Sequence, residues 1–237
     1  VATPTLVKGS RSTRSTIALK LLMAVTGLIF IGYVLLHMYG NLKAFSGHDA
    51  FNEYAHHLRT FGEPMLPHEG LLWIIRVVLL VSVILHVYAA VMLWRRAQKA
   101  RTVKYVVKKH TGAIFASRLM RWGGVTLLLF VIWHLLNFTV GKVNVKTGET
   151  GDAAGDPFNL LVDSFDTWWL TLIYLVAMAM LGAHLHHGIW SAAQTLGFAG
   201  NAQARWFWRK VAFTTALVIT VGFALVPVSV LVGIIEK

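Results

Sequence analysis

Five apolar runs, each long enough to cross a lipid bilayer, constrain this chain more than any other feature. They lie at about Ile17–Tyr39, Leu71–Trp94, Trp122–Val140 (or from Ala116), Trp168–Ile189 (or on to Ser191) and Val211–Ile235. A hydrocarbon core needs roughly 20 residues of helix. No strand-period alternation runs through these segments, and an open sheet in lipid would leave backbone groups unpaired, so helices remain. Composition agrees: 56% of the 237 residues are hydrophobic and 14% are charged, too apolar for a soluble domain of this size. The expected fold is an all-α integral membrane protein, one membrane domain over residues 1–237 with five transmembrane helices. The first run ends in HMYGNLKAF without a small-residue cleavage site and is read as a permanent span.

The net charge of +12 raises the question of nucleic acid, but the charges alternate between connections. Lys8, Arg11, Arg14 and Lys20 precede or open the first run, a dense basic stretch from Arg95 to Lys109 joins the second to the third, and Arg205, Arg209 and Lys210 precede the fifth. The other connections are acidic on balance, with Asp49, Glu53 and Glu63 in one and Glu149, Asp152, Asp156, Asp163 and Asp166 in the other. Positively charged loops stay in the cytoplasm. The N-terminus is therefore expected inside and Lys237 outside, and the basic face needs no nucleic-acid partner. There is no cysteine, so this chain alone supplies no disulfide, iron–sulfur cluster or haem thioether.

Between the first two runs, FNEYAHHLRTFGEPMLP reads as a short amphipathic helix stopped by Gly62 and Pro64. KTGETGDAAGDP reads as a loop, and FNLLVDSFDTWW after it as an interfacial segment anchored by Trp168 and Trp169. Trp206 and Trp208 are the matching anchors on the other side, Pro227 is a candidate kink, and the fifth run, with no ionisable residue, reads as packing.

Four of the five runs carry histidine well inside: His37, His86, His134, and the cluster His184, His186 and His187. Ionisable residues at that depth are costly and usually functional. Depth orders them. At about 1.5 Å per residue, His37 lies about 30 Å from its entry and His134 roughly 18–27 Å from the same side. His86 and the His184 cluster lie about 23–25 Å in from the opposite side. Two histidines thus fall near each surface, the arrangement that two bis-imidazole b haems stacked across a four-helix bundle require. Zinc would gather its ligands at one point instead. Glycines near these histidines (Gly27, Gly32, Gly40, Gly123, Gly124, Gly182 and Gly188) would admit a flat macrocycle, though glycine is also common in packed membrane helices.

SFDTWWLTLIYLVAMAMLGAHLHHGIWSAAQTLG, RLMRWGGVTLLLFVIWHLLNFTVG and LLHMYGNLKAFSGHDAFNEYAHHLR resemble the cytochrome b membrane anchor of succinate dehydrogenases and fumarate reductases, in its five-helix, dihaem branch. The resemblance runs from about Ser15 to Gly197. It implies two haems b, a quinone (menaquinone), and a flavoprotein and an iron–sulfur subunit docked on the cytoplasmic side of a prokaryotic plasma membrane. It assigns the outer haem to His37 and His134, and the inner haem to His86 and His184. His184 is selected because the family ligand stands four residues before a glycine, here Gly188. Helical geometry alone leaves His187, at i+3, as an alternative. Some relatives carry a glutamate two residues before the inner ligand, proposed to move protons; this chain has Gly182 there and no acid in any of the five runs.

Arg76 is placed to reach an outer haem propionate or a quinone carbonyl, or to snorkel to the interface. Arg118 and Arg121 flank the inner entry of the third run, where they suit inner propionates, acids of an iron–sulfur partner, or the positive-inside bias alone. His48, His56, His57 and His68 fall in the outer connection, where a histidine suits proton acceptance from a quinol. The rival readings are a quinone-reactive cytochrome b anchor of another dehydrogenase, a haemless quinone-binding anchor, and a proton channel or transporter.

Overall fold

A computed structural model describes residues 15–100, 112–140 and 155–237, with 112–118 described by their backbone only. Seven α-helices account for most of these residues: α1 (Thr16–Leu42), α2 (His48–Thr60), α3 (Gly70–Lys99), α4 (Gly112–Phe138), α5 (Pro157–Phe165), α6 (Trp168–Thr195) and α7 (Ala202–Leu231). A short 3-10 turn, Lys43–Ser46, joins α1 to α2. Among the described residues there is no strand. Five of the helices, α1, α3, α4, α6 and α7, are long and apolar enough to span a membrane. The fold is all-α and of the multi-pass membrane type.

Local chemistry sets the helix ends. The Ser15 hydroxyl accepts the Ala18 N–H at 3.0 Å to start α1, and the Asn201 side chain accepts the Ala204 N–H at 2.8 Å to start α7, each satisfying a donor that the first turn leaves free. Asp156 caps α5 with Pro157 at its first position. Gly62, at φ 101°, turns the chain after α2 where a Cβ would be strained.

The surface explains the composition. Leu, Ile and Val side chains stand exposed along every span, including Leu36, Leu80, Ile84, Leu129 and Leu172. A patch of that extent suits lipid and not water. Exposed Trp73 and Trp94 on α3 are about 31 Å apart along the axis, the thickness of a hydrocarbon core flanked by aromatic belts.

Inside, α1 and α6 pack against each other at the centre. α3 lies on α1, α4 on α6, and α7 against both α6 and α1. Small residues allow the close α6–α7 approach: Ala212 and Ala216 are buried there, and Gly182 abuts the Thr220 side chain. α1 and α4 form no packed interface among the described residues, nor do α3 and α6.

One end of the bundle is capped by α2 and α5, which pack on each other, with α5 also against α6 and α7. Here the structure corrects the sequence reading. FNLLVDSFDTWW is not a segment lying on the surface: Phe158 and every residue from Leu160 to Phe165 are buried, and the exposed residues, Asp166, Trp168 and Trp169, stand at its end, with the two tryptophans as anchors. Asp163, counted as a solvated loop acid, is 5% exposed and accepts an ion pair from Lys237 at 2.7 Å. The apolar faces of α5 find protein, so burial there outweighs the pull of the interface. α7 begins at Ala202, nine residues before the expected Val211, and takes Arg205, Arg209 and Lys210 into its first turns. Trp206 is exposed beside them and Lys210 stands over its ring at 3.7 Å. Lys8, Arg11 and Arg14, the basic residues 101–109 and the acidic loop 149–152 lie outside the described residues.

Candidate functional site

The histidines meet in pairs across the two gaps of the bundle. His37 of α1 and His134 of α4 have ring centroids 5.8 Å apart with planes at 82°. His86 of α3 and His184 of α6 are 6.2 Å apart at 54°. These helix pairs form no packed interface among the described residues, and each gap is crossed by a pair of imidazole rings. His187 and His186 are both exposed, and His186 turns instead to Phe213 on α7. The rotation of α6 therefore separates His184 from His187, a choice that sequence spacing leaves open.

The pairs form two layers. Thr26, which touches His86, and His37 lie eleven residues apart on α1, which is about 16 Å along the axis. Tyr174, which touches His134, and His184 lie ten residues apart on α6, about 15 Å. Two independent helices thus give the same spacing. The His37 layer is nearer the capped end. Tyr33 stacks on His37 at 5.4 Å, Phe223 of α7 flanks it at 5.7 Å, and Phe130 and Phe138 flank His134 at 5.8 and 5.4 Å. α7, read from sequence as packing alone, thus contributes one wall of this layer.

Hydroxyl groups hold one histidine of each pair. Thr26 Oγ1 lies 2.9 Å from His86 Nδ1, and the Tyr174 hydroxyl lies 3.2 Å from His134 Nδ1. His184 Nδ1 is buried without a hydrogen-bond partner among the described residues, a state that costs about 1–3 kcal/mol unless another group engages the ring. Neither hydroxyl was singled out from sequence. One signal was available for Thr26: it lies about three turns before His37, on the same face of α1.

The glycines are arranged differently from the sequence reading. Gly27 belongs to the second layer, not to His37, since a Cβ there would sit 3.7 Å from the His86 ring. A Cβ on Gly124 would sit 3.8 Å from His184. These two glycines flank the inner pair from α1 and α4. Gly40 instead accommodates the Tyr54 ring, Gly123 faces Met180 and Gly182 accommodates Thr220, while positions 32 and 188 face open space.

Arg76 is 40% exposed along its side chain and pairs with Glu69 at 3.2 Å, with its guanidinium over Trp73 at 5.0 Å. Glu69 also receives Arg59 at 3.4 Å. The charge of Arg76 thus has a carboxylate partner in the connection, one that sequence reasoning did not consider. Arg121 is exposed in the half of α4 remote from the cap, and the Arg118 side chain lies outside the described residues. Of the loop histidines, His48 pairs with Asp49 at 2.9 Å and Asp156 at 3.3 Å, and His68 with Glu63 at 3.0 Å. His56 and His57 are exposed on α2.

Two tests bear on what the pairs can hold. Among the described residues no group of three or more His, Cys, Asp or Glu gathers as a metal cluster. An iron shared by two imidazoles at roughly 2 Å from each coordinating nitrogen puts the ring centroids about 6 Å apart. Both observed separations meet that value, and ring planes rotate freely about a shared axis, so both angles are compatible. The donors are paired imidazoles in apolar gaps flanked by aromatic rings, the chemistry that suits a bis-histidine haem. No protein-family model, curated protein or solved structure matches the chain.

Proposed function

We propose that this chain is the membrane anchor and electron-transfer cytochrome b subunit of a succinate:quinone oxidoreductase, of the succinate dehydrogenase and fumarate reductase type, with menaquinone as its quinone. The observation that carries the reading is the pairing itself: four half-buried histidines from four helices, brought two by two across the gaps of the bundle with ring centroids 5.8 and 6.2 Å apart. The sequence resemblance over Ser15 to Gly197 supplies the assignment to this class of complex.

In this reading His37 with His134, and His86 with His184, would hold the two haems. Haem b held by two neutral imidazoles supplies a one-electron carrier with no open coordination position. The chain's own residues do the rest. Phe130, Phe138 and Phe223 wall the outer layer from lipid and water, Gly27 and Gly124 leave the inner ring pair room, and Thr26 and Tyr174 orient one ring in each layer. With two layers about 16 Å apart in a core of about 30 Å, the chain carries electrons between an iron–sulfur partner on its basic side and a quinone. The positive-inside bias puts that partner, and the flavoprotein behind it, in the cytoplasm of a prokaryotic cell. Arg121 and Arg118 stand at the entry of α4 on that side, suited to propionates or to acids of the partner.

The test is a pyridine haemochrome count and a reduced-minus-oxidised spectrum on the purified chain with its partners. Two haems b per chain, with succinate-dependent quinone reduction by the complex, are expected. No haem would end the reading. Two haems with co-purification of a different dehydrogenase would keep the cytochrome and change the enzyme.

A further inference from the structure

Thr26 stands within the apolar run of α1 and is 3% exposed. Its hydroxyl proton has a defined destination. Oγ1 lies 2.8 Å from the Leu22 carbonyl oxygen and 3.2 Å from that of Met23. A carbonyl has no proton to give, so the hydroxyl donates to the α1 backbone. The same oxygen stands 2.9 Å from His86 Nδ1. With its proton committed, Oγ1 meets the imidazole only through lone pairs, and the proton of that contact belongs to Nδ1. A neutral imidazole carries one N–H, so Nε2 keeps its free lone pair.

We propose that Thr26 is the positioning residue of the inner pair: it locks His86 as the Nδ1–H tautomer and leaves Nε2 as the donor toward an iron shared with His184. This rests on the haem reading above. Thr26 and the neighbouring Met23 backbone carbonyl hold the ring from the α1 side, Phe30 meets it edge-on at 5.8 Å, and Gly27 leaves its Cε1 side clear. Among the described residues His184 has no counterpart, since its Nδ1 finds no partner there. Ligand basicity in the inner pair is therefore set from the α1 side. An imidazole that donates its second N–H is a stronger base toward iron. It stabilises ferric over ferrous iron, so the Thr26 contact holds the inner potential down.

The test compares Thr26→Val, which keeps the branched shape without the hydroxyl, with Thr26→Ser, which keeps the hydroxyl. Redox titration of the purified complex reads both haem potentials, and low-temperature EPR reads the two low-spin ferric signals. In Thr26→Val the potential of one haem rises and its EPR signal moves while the other haem keeps both; Thr26→Ser behaves as wild type. Loss of one haem in Thr26→Val with both retained in Thr26→Ser also supports the positioning role. Wild-type values in Thr26→Val, or the same shift or loss in Thr26→Ser, overturn it while leaving the haem reading intact. A wild-type complex without haem overturns both.

Discussion

His86 and His184 lie with ring centroids 6.2 Å apart, although the helices that carry them, α3 and α6, form no packed interface among the described residues. The same holds for His37 and His134 on α1 and α4. Packed membrane helices close their gaps with small residues and shape, and α6 and α7 do so here. Gaps crossed by two polar rings are a different construction, one that suits a group held between them.

The outer pair should be separable from the inner. Replacing His134 by alanine removes one imidazole and leaves His37 facing an apolar void, while His86 and His184 stand about 15 Å away along α6. On the proposed two-haem reading, haem content is expected to fall from two per chain to one, with the redox and EPR features of the His86–His184 pair retained. A variant that keeps two haems would rule out His134 as a ligand.

Gly182 and Thr220 fit as a pair in the α6–α7 interface. A Cβ at position 182 would run into the Thr220 hydroxyl, and Thr220 is branched at Cβ with little freedom to retreat. Gly182→Ala is expected to destabilise the detergent-solubilised protein by about 1–3 kcal/mol, the usual cost of overpacking. Thr220→Ala in the same chain should recover most of that loss. If the double variant unfolds as readily as Gly182→Ala alone, the collision is not the cause.

Glu69 carries strain and charge together. It is the one non-glycine among the described residues with positive φ, at 58°, a conformation that costs a residue with a Cβ about 1–2 kcal/mol. Its carboxylate holds Arg59 and Arg76, partly exposed pairs worth about 0–1 kcal/mol each. Glu69→Ala forfeits the pairs and keeps the strain, so it should lose up to about 2 kcal/mol. Glu69→Gly forfeits the pairs but sheds the strain and should unfold measurably later than Glu69→Ala. Equal stability of the two would mean the left-handed backbone costs nothing.

The contact between α2 and α5 should depend on pH. His48 joins them, and its pKa is raised above 6.5 mainly by the hydrogen bond to Asp49, then by that to Asp156. For Asp156, burial pushes upward, but Asn52, the Asn159 N–H and His48 outweigh it and hold the carboxyl below 3.8. A raised histidine contributes stability that is complete below its ordinary value and is lost as pH rises through the folded value. A depressed carboxylate contributes above its ordinary value and loses this as pH falls through the folded one. The clasp is therefore strongest between about pH 4 and 6.5. His48→Gln should lower the melting temperature near pH 5.5 and have little effect near pH 9. An equal loss at both values would show that charge is not what His48 contributes.

Much of this architecture was legible in the chain itself, because hydropathy and helix rise are properties of single segments. Five spans, the amphipathic α2 and the grouping of His37 with His134 and His86 with the fourth-span cluster all follow from counting residues along separate helices. Rotation and contact between helices do not. The choice of His184 over exposed His187 is set by how α6 turns toward α3. The contacts of Thr26 with His86 and Tyr174 with His134 join residues 60 and 40 positions apart. The burial of α5, with Asp163 inside it, depends on α2, α6 and α7 closing over a segment whose own pattern also suits an interface. Depth along a helix is a local quantity that the sequence determines by length and polarity, whereas the azimuth of each helix is decided by packing among all of them, and only the tertiary structure holds that information.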